Sequence, residues 1–191
     1  MTTPVPIIYA TTLGLKLKVT QNSLLLFAKE HPNCIIKRWI IFGSKRSWEI
    51  FEHNYISENR WCEQVNQEAK EMGLSLLVND NIIRKEEIDE KDIPLIATKM
   101  TQKINQELSD FSANNDPEII IDITGGRKAM SVGSIIASHN LAKANPHRNF
   151  FILYFWLKDT SRTSLDKKAS ELFLDEYVIQ KWNVNKLFPN G

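Results

Sequence analysis

Short apolar runs alternate with amphipathic stretches along this chain. Residues 7–11, 35–42, 74–78 and 149–157 are dense in β-branched, aromatic and other apolar side chains and read as strands. The run Ile119, Ile120, Ile121 and Ile123, broken only by Asp122, reads as a further, fully buried strand. Between these lie helical patterns. Residues 23–30 form one, broken by His31-Pro32-Asn33. Residues 47–73 keep helical spacing through Phe51, Tyr55, Trp61, Val65, Ala69 and Met72, with Ser47 as N-cap and Gly73 as stop. Asp92 and Pro94 open another helix, which places Ala97, Met100, Ile104, Leu108 and Phe111 on one face. A helix over 128–145 ends before Pro146. Residues 84–92 read as a solvated charged connection, 159–170 as a polar linker, and 171–182 as a C-terminal strand.

Strands alternating with helices predict an α/β, Rossmann-like fold: a mainly parallel sheet with helices on both faces and an antiparallel C-terminal strand. Residues 1–191 are expected to form a single domain, since no repeat or boundary divides them. In such sheets ligands bind beyond the carboxyl ends of the strands. That rule selects four loops: Thr11 to Gly14, Gly43 to Ser47 with Ser44, Lys45 and Arg46, Asn79 to Asn81, and Thr124 to Lys128.

Composition narrows the ligand. Hydrophobic content of 42% and charged content of 25% suit a globular protein, and a net charge of +1 disfavours a long nucleic acid held by broad counterion release. It leaves room for a focused basic pocket. Cys34 and Cys62 form no CxxC, and His31, His53, His139 and His147 lack metal-ligand spacing, so no metal site is expected. Neither a signal peptide nor a run of about 20 apolar residues is present, and a cytoplasmic location away from membranes is the expectation. No GxGxxG, Walker or GxSxG pattern occurs, which disfavours nicotinamide cofactors, P-loop NTPases and serine hydrolases; no cofactor is predicted. Trp48 borders the Ser44 loop and is read either as packing at a helix start or as a base-stacking ring.

The most informative segment is EIIIDITGGRKAMS, residues 118–131. An apolar strand runs into Thr124, Gly125 and Gly126, and two cations, Arg127 and Lys128, open the next helix. The glycines are expected to supply positive φ and to let a ligand approach the main chain. Cations in a first turn oppose the helix macrodipole, so local helix stability does not account for them, whereas a bound anion does. An ordinary tight turn with solvated cations is the alternative.

The nonapeptide Asp122-Ile123-Thr124-Gly125-Gly126-Arg127-Lys128-Ala129-Met130 closely resembles the signature of the CRISPR-associated Rossmann fold (CARF) family. Many relatives carry a small Thr or Ser where this chain has Arg127. The resemblance implies a sensor of cyclic oligoadenylates, most simply cyclic tetra-adenylate, bound by a homodimer whose two-fold axis matches the ring. A standalone member resembles the ring nucleases, which cut the messenger without metal by attack of a ribose 2′-OH on the adjacent phosphorus. On that resemblance Lys128 stabilises charge, and Thr12, before Thr11, positions the reacting ribose. Arg127, Lys45 and Arg46 contact phosphates, together with the Gly14 and Ser44 loops. Asn79 and Asn81 read adenine edges, or simply form a turn. A non-catalytic sensor or sponge, and an unrelated nucleotide-phosphate-binding protein, are the alternatives.

Overall fold

A computed structural model describes residues 3–54, 58–111, 116–159, 166–173 and 175–189, with the side chains of residues 58 and 59 left aside. Its elements follow in the order β1 (Val5–Leu13), α1 (Leu17–Glu30), β2 (Cys34–Gly43), α2 (Lys45–Asn54), α3 (Glu58–Glu71), β3 (Ile83–Glu87), α4 (Ile93–Leu108), β4 (Glu118–Asp122), α5 (Lys128–Ala144), β5 (Phe150–Leu157), β6 (Tyr177–Asn183) and α6 (Val184–Leu187). The sheet runs β3-β2-β1-β4-β5-β6. The first five strands are parallel and β6 is antiparallel to β5. This is the Rossmann-like order, in which connections leave β1 toward one edge and β4 toward the other. No helix among the described residues is long and apolar enough to cross a membrane.

Strand alternation sorts the core into two layers. Ile7, Tyr9 and Leu13 of β1, Ile120 of β4, and Leu153 and Phe155 of β5 pack with Leu24 and Phe27 of α1 and with Trp61 and Val65 of α3. Ile8 and Ala10, Ile119 and Ile121, and Phe150 and Ile152 face the other way, onto Met100 and Ile104 of α4 and Ala137 and Leu141 of α5. Gly133 lets α5 approach α4, because a Cβ there would press into the Ile96 side chain. Asp92 caps α4 as predicted, accepting from the Leu95 amide at 2.9 Å.

Several expectations need correction. The segment 74–78 is not a strand; Asn66 pins it by bonding both the amide and the carbonyl of Val78 at 2.7 Å. The third strand is instead Ile83–Glu87, inside the charged stretch read as a connection. Its charges suit an edge strand, where side chains can reach solvent or partners. Arg84 meets Glu107, while Lys85 lies over the Trp48 and Phe51 rings.

Helix α1 starts at Leu17, six residues before its predicted start, because its polar first turns are buried with specific partners. Gln21 donates to Glu68 at 2.7 Å, Asn22 to the Lys167 carbonyl at 2.9 Å, and Ser23 bonds Tyr9 at 3.1 Å. The stretch read as one long helix is described as α2 and α3, and residues 55–57 between them, with Tyr55, lie outside the described residues. Ser47 does not cap it; the Ser44 hydroxyl accepts from the Ser47 amide at 3.3 Å, so the helix begins earlier. Much of the predicted polar linker, residues 160–165, also lies outside the described residues. The C-terminal strand is antiparallel as predicted but shorter, at Tyr177–Asn183.

Candidate functional site

The carboxyl ends of β1 and β4 lie side by side at the point where the strand order reverses. Here the first loop and the Thr-Gly-Gly turn interlock. A Cβ on Gly14 would overlap the Gly125 carbonyl, and one on Gly125 would overlap the Thr12 carbonyl and come within 2.5 Å of the Thr20 hydroxyl. On Gly126 it would lie 2.5 Å from Thr12 Oγ1. Among the described residues only Gly73 has positive φ. The glycines of the turn therefore serve close packing against the first loop, and the predicted left-handed conformation is absent.

A buried polar network holds this junction from below. Asp122 ends β4 with no solvent exposure. Its Oδ2 accepts from Tyr9 Oη at 3.0 Å and Thr11 Oγ1 at 3.1 Å, and its Oδ1 accepts from the Thr124 amide at 2.9 Å. Thr124 Oγ1 in turn accepts from the Phe155 amide at 2.8 Å, tying the turn to β5. Burial pushes the Asp122 carboxyl above its ordinary range, against the opposing hydrogen bonds from Thr124 and Tyr9. The Tyr9 phenol is also raised, first by burial and then by the adjacent Asp122 charge.

A raised folded-state pKa has a defined sign for stability. In the window above the ordinary aspartate value the native state holds more protons than the unfolded chain, so stability falls as pH rises through it. Urea midpoints across that window are expected to decline in the parent protein. The decline should flatten in Asp122→Asn, which cannot ionise; an equal slope in both proteins would remove Asp122 as its source.

The predicted residues divide by surroundings. Thr11 is fully buried and committed to Asp122. Thr12 is also buried, with its hydroxyl under Gly126 and without a partner among the described residues. Arg127 reaches outward to Glu90, Nη1 to Oε1 at 2.8 Å, and Lys128 is exposed at the start of α5. The first turn of α5 contains no acid, and Arg127 at its N-cap makes no capping bond, so its main-chain N–H groups lack a side-chain cap. Lys45 and Arg46 are exposed at the start of α2. With Ser44 they line a cavity of about 530 Å³ that also includes Glu87, Glu90 and Lys99. Glu90 thus joins the α2 loop to the Arg127 turn.

Asn79 and Asn81 are not brought to this site. They precede β3 and line a separate cavity near Asn33 and Lys37, by the amino end of β2. The Asn79 side chain accepts from the Asn81 amide at 3.0 Å, as in an Asx turn. Moving the third strand to 83–87 reverses the end of the sheet at which they lie. Trp48 has the packing role: its indole sits where a Gly43 Cβ would be. Glu90 was hidden in a stretch that reads as solvated. Asp122 had a usable signal, since a carboxylate inside an isoleucine run demands buried donors.

No protein-family model matches this chain, and neither does any curated protein. Among solved structures it is similar to Csm6 of Enterococcus italicus bound to cyclic hexa-2′-fluoro-hexa-dAMP, with a TM-score of 0.55 and 12% identity. The match covers 97% of this chain and 39% of that one. At this identity the likeness establishes the fold alone, a Rossmann-like α/β fold.

Proposed function

We propose that this chain binds a cyclic oligoadenylate, most simply cyclic tetra-adenylate, across the first loop and the Thr-Gly-Gly turn, in a type III CRISPR signalling context. The observation that carries this reading is the packed turn at the switch point, with exposed Lys128 at the N-terminus of α5. The fold supports it, because the similar Csm6 structure holds a cyclic nucleotide ring. A cytoplasmic homodimer would present each turn twice to a ring with two-fold symmetry, so a few cations per subunit suffice.

The same reading extends to cleavage. The ribose 2′-oxygen forms a bond to the neighbouring phosphorus as the P–O5′ bond breaks. The 2′ proton leaves, the departing 5′-oxygen takes one up, and a linear product ends in a 2′,3′-cyclic phosphate. Lys128 stabilises charge on the phosphoryl oxygens, and Thr12, whose hydroxyl lies against Gly126, positions the reacting ribose. One observation favours binding without cleavage: both Thr11 and Thr12 are covered, so either reaches a ribose only if the turn opens.

Chromatography of cyclic tetra- and hexa-adenylate, incubated with the protein and a chelator, separates these outcomes. Linear cyclic-phosphate products support the nuclease. Tight binding of intact ring leaves a sensor or sponge. Absence of binding to either ring rejects the ligand class and returns the turn to a nucleotide-phosphate site of another kind.

A further inference from the structure

Strand β5 carries two aromatic rings that the core does not use. Phe150 and Ile152 bury their side chains in the layer beneath α4 and α5. Two and four residues beyond Ile152 on the same face, Tyr154 and Trp156 remain open: Tyr154 is 38% exposed and Trp156 partly so. Their rings stack on one another, with centroids 5.3 Å apart and planes 28° apart. The cross-strand partners, Gln180 of Tyr154 and Val178 of Trp156, are also exposed or partly exposed. One end of this sheet face is therefore dry, while the other presents an uncovered aromatic pair.

The open end is the end of the candidate site. Phe155, between the two rings in sequence, donates its amide to Thr124 Oγ1 at 2.8 Å, and the Ile123 amide bonds the Leu153 carbonyl at 3.0 Å. Neighbouring strands lie about 4.8 Å apart, so the Tyr154 and Trp156 backbones are within a nucleotide's reach of the turn. They also occupy the face of the sheet on which α5 packs, the helix that Lys128 opens.

We infer that Tyr154 and Trp156 form a stacking platform for a purine base of the ligand whose phosphate sits at the Thr-Gly-Gly turn. The inference rests on the cyclic-oligoadenylate reading and adds the residues that hold a base. Stacked rings suit this task because every base has a π-face, and a rigid aromatic loses little conformational freedom when covered. A phosphate at α5 and a base on β5 together require a nucleotide rather than a simple polyanion.

The test measures affinity of the full chain for cyclic tetra- and hexa-adenylate in the parent and in Tyr154→Ala, Trp156→Ala, Tyr154→Phe and Trp156→Phe. Each alanine variant is expected to weaken binding by about 10-fold or more, and the phenylalanine variants by less than about 3-fold. Affinity for inorganic tripolyphosphate, which has no base, should not change. Ring binding should quench tryptophan emission in the parent, and much of that quench should vanish in Trp156→Phe, a variant that keeps a packed ring should the alanine fail to fold. Unchanged ring affinity in Tyr154→Ala and Trp156→Ala would overturn the platform while leaving the ligand reading intact. Weakening accompanied by loss of dimer in sedimentation would also overturn it, assigning the rings to an interface between copies. A parent protein that binds neither ring overturns the ligand reading first, and the platform with it.

Discussion

Lys128→Ala is expected to lower the rate of ring cleavage by at least about 100-fold, the size seen when one preorganised charge-stabilising donor is removed. Its effect on stability should be slight and opposite in sign to most deletions. Lys128 is exposed in the first turn of α5, where a cation opposes the helix dipole. Removing it should raise stability by up to about 0.3–1 kcal/mol at low salt. A thermal melt and a chromatographic rate on the same preparation therefore move in opposite directions. Removing a residue kept for the fold would lower both. If the variant cuts at the parent rate, Lys128 has no catalytic part; if it binds the ring equally well, the α5 N-terminus is not the phosphate site.

Gly125→Ala is expected to destroy ring binding and to destabilise the protein together. The added methyl would overlap the Thr12 carbonyl and press on the Thr20 hydroxyl, atoms held by β1 and α1. Overpacking of this kind typically costs about 1–3 kcal/mol, which for a chain of this size lowers the melting temperature by roughly 2–12 °C. Gly73→Ala supplies the contrast. Its φ of 71° makes alanine strained, by about 1 kcal/mol, but nothing lies within 4 Å of the new methyl and the residue is far along the chain from the turn. Comparable stability loss with ring affinity retained is expected there. If Gly125→Ala binds the ring at parent strength, the interlocked main chain is not the ligand's seat.

The parts of the fold legible in the sequence were those carried by local periodicity. The isoleucine run of β4, the apolar run of β5 and the Asp92-capped α4 all stand close to where their patterns predict. Edges misled. Residues 74–78 have a strand's composition, but Leu77 is 64% exposed and the segment is tied to α3 through Asn66. The true strand, IRKEE, has an edge strand's charge and so resembles a loop. That slip carried Asn79 and Asn81 to the wrong end of the sheet. At the start of α1, Gln21 and Asn22 read as a flexible polar connection because their partners, Glu68 and Lys167, lie far away in sequence.

The candidate site shows the same division. The sequence by itself determined the turn Thr124-Gly125-Gly126-Arg127-Lys128, its position between an apolar strand and a helix, and two cations that helix stability cannot explain, since each is a matter of neighbouring residues. Only the tertiary structure decided that the glycines are needed for contact with the first loop rather than for positive φ, and that Asp122 gathers Tyr9 and Thr11 beneath the turn. It also paired Arg127 with Glu90 and left Tyr154 and Trp156 open on β5. The physical reason is range: propensity and dipole act within a few residues, whereas close approach, buried hydrogen bonds and ion pairs join segments that meet only when the sheet is assembled.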